Sequence, residues 1–405
     1  MKKCFGVILS VFIISVLGSC IKEEYDPAKL TTDYSPEVAI PLVHSVLSVN
    51  DILDHADDPT DDLTQESNGL LNLIYKTNIS TPAANSFISF PGVSILQPFI
   101  ATNVNTPEVA DSIDLNLKLF NKVTDGSFYF EDPRLHIKFE NSFGTPLEVN
   151  LTRLEAWSSG NGLVPAILTN LSGDTMQQST IFFSPAYSSI PGQVATTTYS
   201  FDKTNSNLED WVTETAANRF VFYAARGIIN NSPSIPANSF ITDSSTLNIE
   251  VKVELPLYGR GNYVVLGDTV PFNMDINEPS GSPINASEAT LVINTYNGFP
   301  LEAIIQIAFL DSSNSIIDSL FSGDQKEVIE APIIGGSPDF KVLAPSHKMT
   351  EITVNKDRLD QWAKADRIII TGSLSTSGQS TDLVKIYAGY SLEIKLAARA
   401  KLFLE

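Results

Sequence analysis

Leu135-His136-Ile137-Lys138-Phe139-Glu140-Asn141-Ser142-Phe143-Gly144-Thr145-Pro146-Leu147-Glu148 and Leu291-Val292-Ile293-Asn294-Thr295-Tyr296-Asn297-Gly298-Phe299-Pro300-Leu301-Glu302 are two copies of one pattern. Each runs from a strand through Asn, an aromatic residue and Gly into Pro-Leu-Glu and a second strand. The Gly and Pro suit a tight turn between strands, so the pattern is a hairpin that occurs twice.

Two further matches follow each hairpin in the same order. Ser200-Phe201-Asp202-Lys203 leads into Ser206-Asn207-Leu208-Glu209-Asp210-Trp211, and Thr353-Val354-Asn355-Lys356 leads into Asp357-Arg358-Leu359-Asp360-Gln361-Trp362. Each pairs a strand end with a short helix. Leu and Trp three apart share one helix face. Ser206 with Glu209 has capping-box spacing, and Asp357 with Asp360 imitates it. An apolar strand comes after each helix, at 220–224 and 367–371. Strictly alternating strands close both units: Leu247, Ile249, Val251, Val253 and Leu255 in one, Tyr390, Leu392, Ile394 and Leu396 in the other. Period-two alternation marks a strand with one dry and one wet face, as in antiparallel sheets. Ile113, Leu115, Leu117 and Leu119 show the same alternation. The matched segments recur about 150 residues apart, which is the mark of a duplication.

The expected fold is therefore all-β: tandem antiparallel β-sandwich (Ig-like) domains from an internal duplication, each with one short helix. The units are placed at 107–257 and 258–405, joined by a turn at Tyr258-Gly259-Arg260-Gly261-Asn262. Residues 37–106 form a mixed N-terminal segment. In it Ala39-Ile40-Pro41-Leu42-Val43 and Leu70-Leu71-Asn72-Leu73-Ile74-Tyr75 read as strands and 46–55 as a short helix. Whether this segment folds by itself or completes the first sandwich is left open. A single short helix in a sandwich loosely resembles the domains of late-embryogenesis-abundant proteins.

The N-terminus carries an address. Lys2 and Lys3 precede an apolar run from Phe5 to Leu17 that is shorter than the ~20 residues a spanning helix needs. The run ends in Leu17-Gly18-Ser19-Cys20, which resembles the lipobox of bacterial lipoproteins. That resemblance implies a signal peptide at 1–19, lipidation of Cys20 and a flexible tether at 20–36. Cys20-Ile21-Lys22-Glu23-Glu24 resembles the export signal of Bacteroidota surface lipoproteins. In that case Lys22, Glu23 and Glu24 direct the protein to the outer face of the outer membrane. The segment after the tether is similar in pattern to the N-terminal part of uncharacterised Bacteroidota lipoproteins, a family that brings no known activity.

Composition narrows the function. Cys4 and Cys20 are the two cysteines of the 405 residues. Once the signal is removed and Cys20 lipidated, no thiol remains for a disulfide, a thiolate metal site or a cysteine nucleophile. The sequence holds 26 Lys+Arg against 47 Asp+Glu, a net charge of −21. Loss of Lys2 and Lys3 makes the remainder more acidic. Such a chain is repelled by nucleic acid and by anionic lipid, so acyl chains must hold it to the membrane.

Candidate chemistry is sparse. His44, His55, His136 and His347 lack metal-ligand spacing, and no metal or cofactor is expected. His136 reads as an exposed strand residue. Asp54, Asp57, Asp58, Asp61 and Asp62 lack the order of a calcium loop and read as a solvated acidic loop. Gly259-Arg260-Gly261 lacks the third glycine of a dinucleotide fingerprint, and Gly92-Val93-Ser94-Ile95-Leu96 lacks the closing glycine of a nucleophile elbow. Trp211 and Trp362 read as core residues. Trp157, at a strand end before a Ser/Gly/Asn loop, is the candidate ligand contact. The expected function is a non-enzymatic binding or structural module, lipid-anchored in the outer membrane and displayed at the cell surface, with a glycan or surface protein as partner. The alternatives are a glycan-binding accessory of a nutrient-uptake system, an inward-facing envelope scaffold, and an enzyme built on carboxylates facing across a cleft.

Overall fold

The computed structural model describes residues 37–49, 63–89, 97–98, 104–114, 123–158, 162–169, 175–176, 181–212, 220–229, 236, 238–272, 286–321, 326–378 and 380–402. The principal strands of the first half are β1 (Glu37–Ser48), β2 (Leu71–Ser80), β3 (Val109–Asp114), β4 (Val123–Phe130), β5 (Arg134–Asn141), β6 (Leu147–Ser158) and β7 (Ala195–Phe201). Helix α1 (Leu208–Val212), β8 (Phe220–Ile229) and β9 (Leu247–Pro256) follow. The second half contains β10 (Tyr258–Pro271), β11 (Ala286–Asn297), β12 (Leu301–Leu310), β13 (Ser346–Asn355), helix α2 (Lys356–Trp362), β14 (Arg367–Thr376) and β15 (Ser391–Leu402).

These strands build two sandwiches with the same internal order. In the first, the sheet β7-β5-β9-β2 packs against a sheet centred on β6-β8-β3. In the second, β13-β11-β15-β1 packs against a sheet centred on β12-β14-β10. The fold is all-β, every pairing within these sheets is antiparallel, and each sandwich holds one short helix. Burial follows the sequence alternation: β5 reads intermediate, buried, intermediate, buried along its length, with Leu135, Ile137 and Phe139 inward. Burying each such large apolar side chain contributes about 1.5–3 kcal/mol.

The chain weaves between the sandwiches. β1 lies on the edge of the second sandwich, where it pairs with the C-terminal strand β15 from Glu37↔Lys401 to Ser48↔Ser391. β2 pairs with β9 of the first sandwich. Residues 37–106 thus supply a strand at the equivalent place of each sandwich, and in the first the short strand Leu63–Gln65 pairs outside β2. β4 pairs with β10 in the second sandwich, and the chain then crosses through Glu131, Asp132 and Pro133 to β5 in the first.

Four local expectations differ from the structure. The repeated strand–turn–strand pattern is not a hairpin: β5 and β6, like β11 and β12, lie in opposite sheets, so each turn is a corner between sheets. Residues 46–48 end strand β1 rather than start a helix, because Val46 and Leu47 pair with Glu393 and Leu392; residues 50–55 lie outside the described residues. Tyr258–Asn262 is not a turn. It opens β10, and the bend between β9 and β10 is Leu257 alone. Gly259 there serves close backbone approach: a Cβ on it would lie 1.8 Å from the Tyr129 carbonyl oxygen. Helix α2 is capped by Asn355, whose side chain accepts from the Arg358 N–H at 3.1 Å, rather than by Asp357.

Trp211 and Trp362 are both buried, on α1 and α2. Trp362 stacks on Phe309 at 4.3 Å and donates from Nε1 to Asp318 Oδ2 at 2.5 Å. Trp211 Nε1, in contrast, is buried with no hydrogen-bond partner.

Candidate functional site

The site begins with pairing register. In β4 and β10, Tyr129 lies opposite Arg260, Phe130 opposite Gly259 and Phe128 opposite Gly261. Directly opposed residues share a face of the sheet, so Tyr129 and Arg260 point one way and Phe128, Phe130 and the two glycines the other. Tyr258 likewise lies opposite Lys385 of the short strand Val384–Lys385.

The outward face carries aromatic–cation pairs. The Arg260 guanidinium lies 4.8 Å from the centre of the Tyr129 ring, and Lys385 Nζ lies 4.6 Å from that of Tyr258. Phe340 stacks on Tyr258 at 5.5 Å and 30°. The loop that presents Phe340 is pinned by Lys385 Nζ donating to the Pro338 carbonyl at 2.8 Å and by the Tyr387 hydroxyl donating to the Asp339 carbonyl at 2.7 Å. Exposed cation–π pairs contribute roughly 0.5–1 kcal/mol each.

The first sandwich adds charged groups at this junction. Lys203, in the turn before α1, donates to Glu131 Oε1 at 2.6 Å. Tyr129 hydrogen-bonds to the same carboxylate. Burial opposes ionisation of Glu131, but the hydrogen bonds from Lys203 and Tyr129 and the charges of Lys203 and Arg260 outweigh it and hold its pKa below the usual value. Glu209, on α1, is pushed up by burial and by the Glu131 charge. Burial also raises Tyr129 and Tyr258, with Glu131 adding to both. Perturbed titrating groups thus concentrate where the two sandwiches meet, which is a physical mark of a functional site. Two carboxylates pushed in opposite directions, a lysine between them and two cation-covered tyrosines can hold a ligand bearing both hydroxyls and apolar faces.

The inward face of the same strands borders a chamber of about 250 Å³ in the second sandwich. It lies among Phe128, Phe130, Val264, Ala303, Leu374 and Leu392. Gly261, opposite Phe128, leaves its inward position without a side chain, whereas at Gly259 the Tyr129 backbone takes the corresponding place. The core of the first sandwich is one continuous cluster, whereas that of the second is divided, and of its parts the cluster of Phe299, Ala303, Ile329 and Leu392 and the separate Val264 border this space. At roughly 24 cal/mol per Å³, an empty chamber of this size costs on the order of 6 kcal/mol. A smaller chamber of about 90 Å³ lies in the first sandwich beside Trp211.

The residues singled out from sequence lie elsewhere. Cys20, Lys22, Glu23, Glu24, His55, the acidic cluster 54–62 and 92–96 fall outside the described residues. Trp157 is half-buried near the end of β6, opposite Leu163 and Phe220 and away from the junction strands. His136 meets Ser200 Oγ at 2.9 Å on the outer face of the first sandwich. His44 pairs with Glu393 at 2.8 Å, and His347 stacks on Tyr296 at 4.4 Å. Among the described residues no group of three or more His, Cys, Asp or Glu could hold a metal ion, and no helix is long and apolar enough to cross a membrane. The junction was missed because Gly259-Arg260-Gly261 reads locally as a turn. The alternation Tyr258, Arg260 against Gly259, Gly261 was the available signal.

No protein-family model matches the chain, and no curated protein does. Among solved structures, a protein of Parabacteroides distasonis ATCC 8503 assigned as secreted is similar at 13% identity and a TM-score of 0.45, over 90% of this chain and 99% of that one. The VP2 subviral particle of infectious bursal disease virus is similar at 10% identity and a TM-score of 0.18, over 79% and 75% of the two chains. The CBM22-1-CBM22-2 tandem domain from Paenibacillus barcinonensis Xyn10C is similar at 7% identity and a TM-score of 0.17, over 91% and 100%. None of these likenesses reaches a level that bears on function.

Proposed function

We propose that this chain is an outer-membrane lipoprotein, lipidated on Cys20 and displayed at the cell surface, that works by binding rather than by catalysis. The ligand contact is the junction of the two sandwiches. The observation that carries this reading is the convergence there of Tyr129, Glu131, Lys203, Glu209, Tyr258 and Arg260 from both sandwiches, because binding sites form preferentially between domains. The sequence at Leu17–Cys20 and Lys22–Glu24 supports the anchor and the address.

The test has two parts. Metabolic labelling with palmitate should mark the wild type and leave Cys20→Ala unmarked. Antibody should reach the protein on intact cells, and that access should fall when Lys22, Glu23 and Glu24 are all changed to Ala. Intact cells and purified protein are then screened against glycans and host or neighbouring proteins, with Arg260→Ala and Lys385→Ala beside the wild type. Ligands that the two variants bind as the wild type does would remove the junction from the reading. Loss of glycan binding in Trp157→Ala alone would move the contact to β6.

A further inference from the structure

The chamber in the second sandwich reaches inward from β4 and β10, and Tyr129, Tyr258 and Arg260 of the junction lie at its border. Its inward lining is apolar. Glu302 alternates with Leu301 and Ala303 along β12 and lies opposite Ser375, and these two polar residues border the chamber at its edge. Asn297 is spent on its own corner: its amide donates to the Leu301 and Glu330 carbonyls and its oxygen accepts from the Phe299 N–H. Thr376 Oγ1 donates to the Gly261 carbonyl at 3.4 Å. Water held inside a protein needs two to four polar partners, and the inward lining does not offer them.

We infer that this chamber is a binding site for one hydrocarbon chain, the acyl or alkyl tail of a single-chain amphiphile whose polar head stays outside. An apolar cavity of about 150 Å³ stays dry and takes benzene, so 250 Å³ scales to roughly ten carbons. Gly261, which places no side chain between Val264 and Phe128, accounts for part of the space. A tail there would join the cluster of Phe299, Ala303, Ile329 and Leu392 to the separate Val264 and to Phe130. Gly261 is the residue that gates the volume. A Cβ there would meet Val264 Cγ2 at 3.5 Å and Phe128 Cδ1 at 3.7 Å, ordinary contacts with two lining side chains. A larger side chain at 261 therefore enters the chamber without displacing backbone.

The experiment uses the full chain carrying Cys20→Ala, purified without detergent, and 1-decanol as the probe. Isothermal titration should give saturable binding of one decanol per chain, with a matching rise in melting temperature. Gly261→Leu should bind at least tenfold more weakly while melting no lower than the wild type without ligand. Gly267→Leu, on the same strand where a Cβ meets nothing within 4 Å, should bind as the wild type does. Lys385→Ala, which tests the junction and does not line the chamber, should also leave decanol binding unchanged, so the two readings fail separately. Absence of saturable binding would overturn the inference and would mean that the chain fills the chamber itself. Equal binding by wild type and Gly261→Leu would overturn it as well. Binding only to phospholipid vesicles would replace it with a membrane contact.

Discussion

Asn141 and Asn297 occupy the same place in the two sandwiches and make the same corner. Asn141 lies between Ala195 and Leu247, and Asn297 between Ser346 and Leu392, at matching positions of β5 and β11. Each side-chain oxygen accepts the N–H of the phenylalanine two residues on, Phe143 or Phe299, at 2.9 Å. Each amide donates to a carbonyl arriving from a distant segment, Ala186 at 3.0 Å or Glu330 at 3.0 Å. The asparagine is thus the fixed point from which the chain turns out of one sheet into the opposite one.

Truncation of either asparagine should be costly. Asn141→Ala leaves the Phe143 N–H and the Ala186 carbonyl without their partner in a fully buried place, for about 2–4 kcal/mol. Asn297→Ala should cost a similar amount. Urea denaturation of both variants checks this, and a loss below 1 kcal/mol in both would contradict the role given to the corner.

The two tryptophans should respond unequally. Trp362→Phe removes the hydrogen bond to Asp318 as well as part of a stacked ring, whereas Trp211→Phe removes an N–H that has no partner. Trp362→Phe is expected to cost about 1–3 kcal/mol more than Trp211→Phe. Equal losses in denaturation would show that the partner at Trp362 contributes nothing.

Asp318 gives the second sandwich an acid limb. Burial would raise its pKa, but hydrogen bonds from Arg358, the Ser319 backbone and Trp362, together with the Arg358 charge, hold it below the usual value. A carboxylate with a lowered folded pKa contributes fully above its unfolded value, about 3.9, and the contribution disappears as pH falls through the lower folded value. Asp318→Asn should therefore destabilise clearly at pH 7 and lose that penalty progressively below pH 4. Melting curves from pH 7 to pH 2 read this directly.

Glu209 has the opposite sign. Its pKa is raised, first by burial and then by Glu131, so its ionised form opposes the fold near neutrality. Glu209→Gln should raise the melting temperature by roughly one to two °C at pH 7 and have no effect at pH 4, where the acid is already protonated. A rise of the same size at both pH values would point to packing instead of charge.

Gly259→Ala should break the β4–β10 ladder, with a loss on the order of 3 kcal/mol or more, because the new Cβ would sit 1.8 Å from the Tyr129 carbonyl oxygen. Gly267→Ala on the same strand should stay within about 0.5 kcal/mol. The pair of melting temperatures decides the matter.

The duplication, the alternation of Leu247–Leu255, the core positions of Trp211 and Trp362 and the absence of a thiol after Cys20 were legible because each depends on neighbours in sequence. Period two follows from strand geometry, and a repeat compares the chain with itself. The weave of the strands was not legible. Nothing near Glu37–Ser48 says that its partner is Ser391–Leu402, because that choice is made by which sheet edge remains open after both sandwiches close. For the same reason Gly259-Arg260-Gly261 read as a turn: a glycine that lets a chain bend and a glycine that lets another backbone approach look alike until the partner strand is in place. The sequence by itself determined an all-β, duplicated, acidic chain. Only the tertiary structure decided that β4 and β10 lie side by side, and so that one face carries Tyr129, Tyr258, Arg260 and Lys385 while the other borders the chamber.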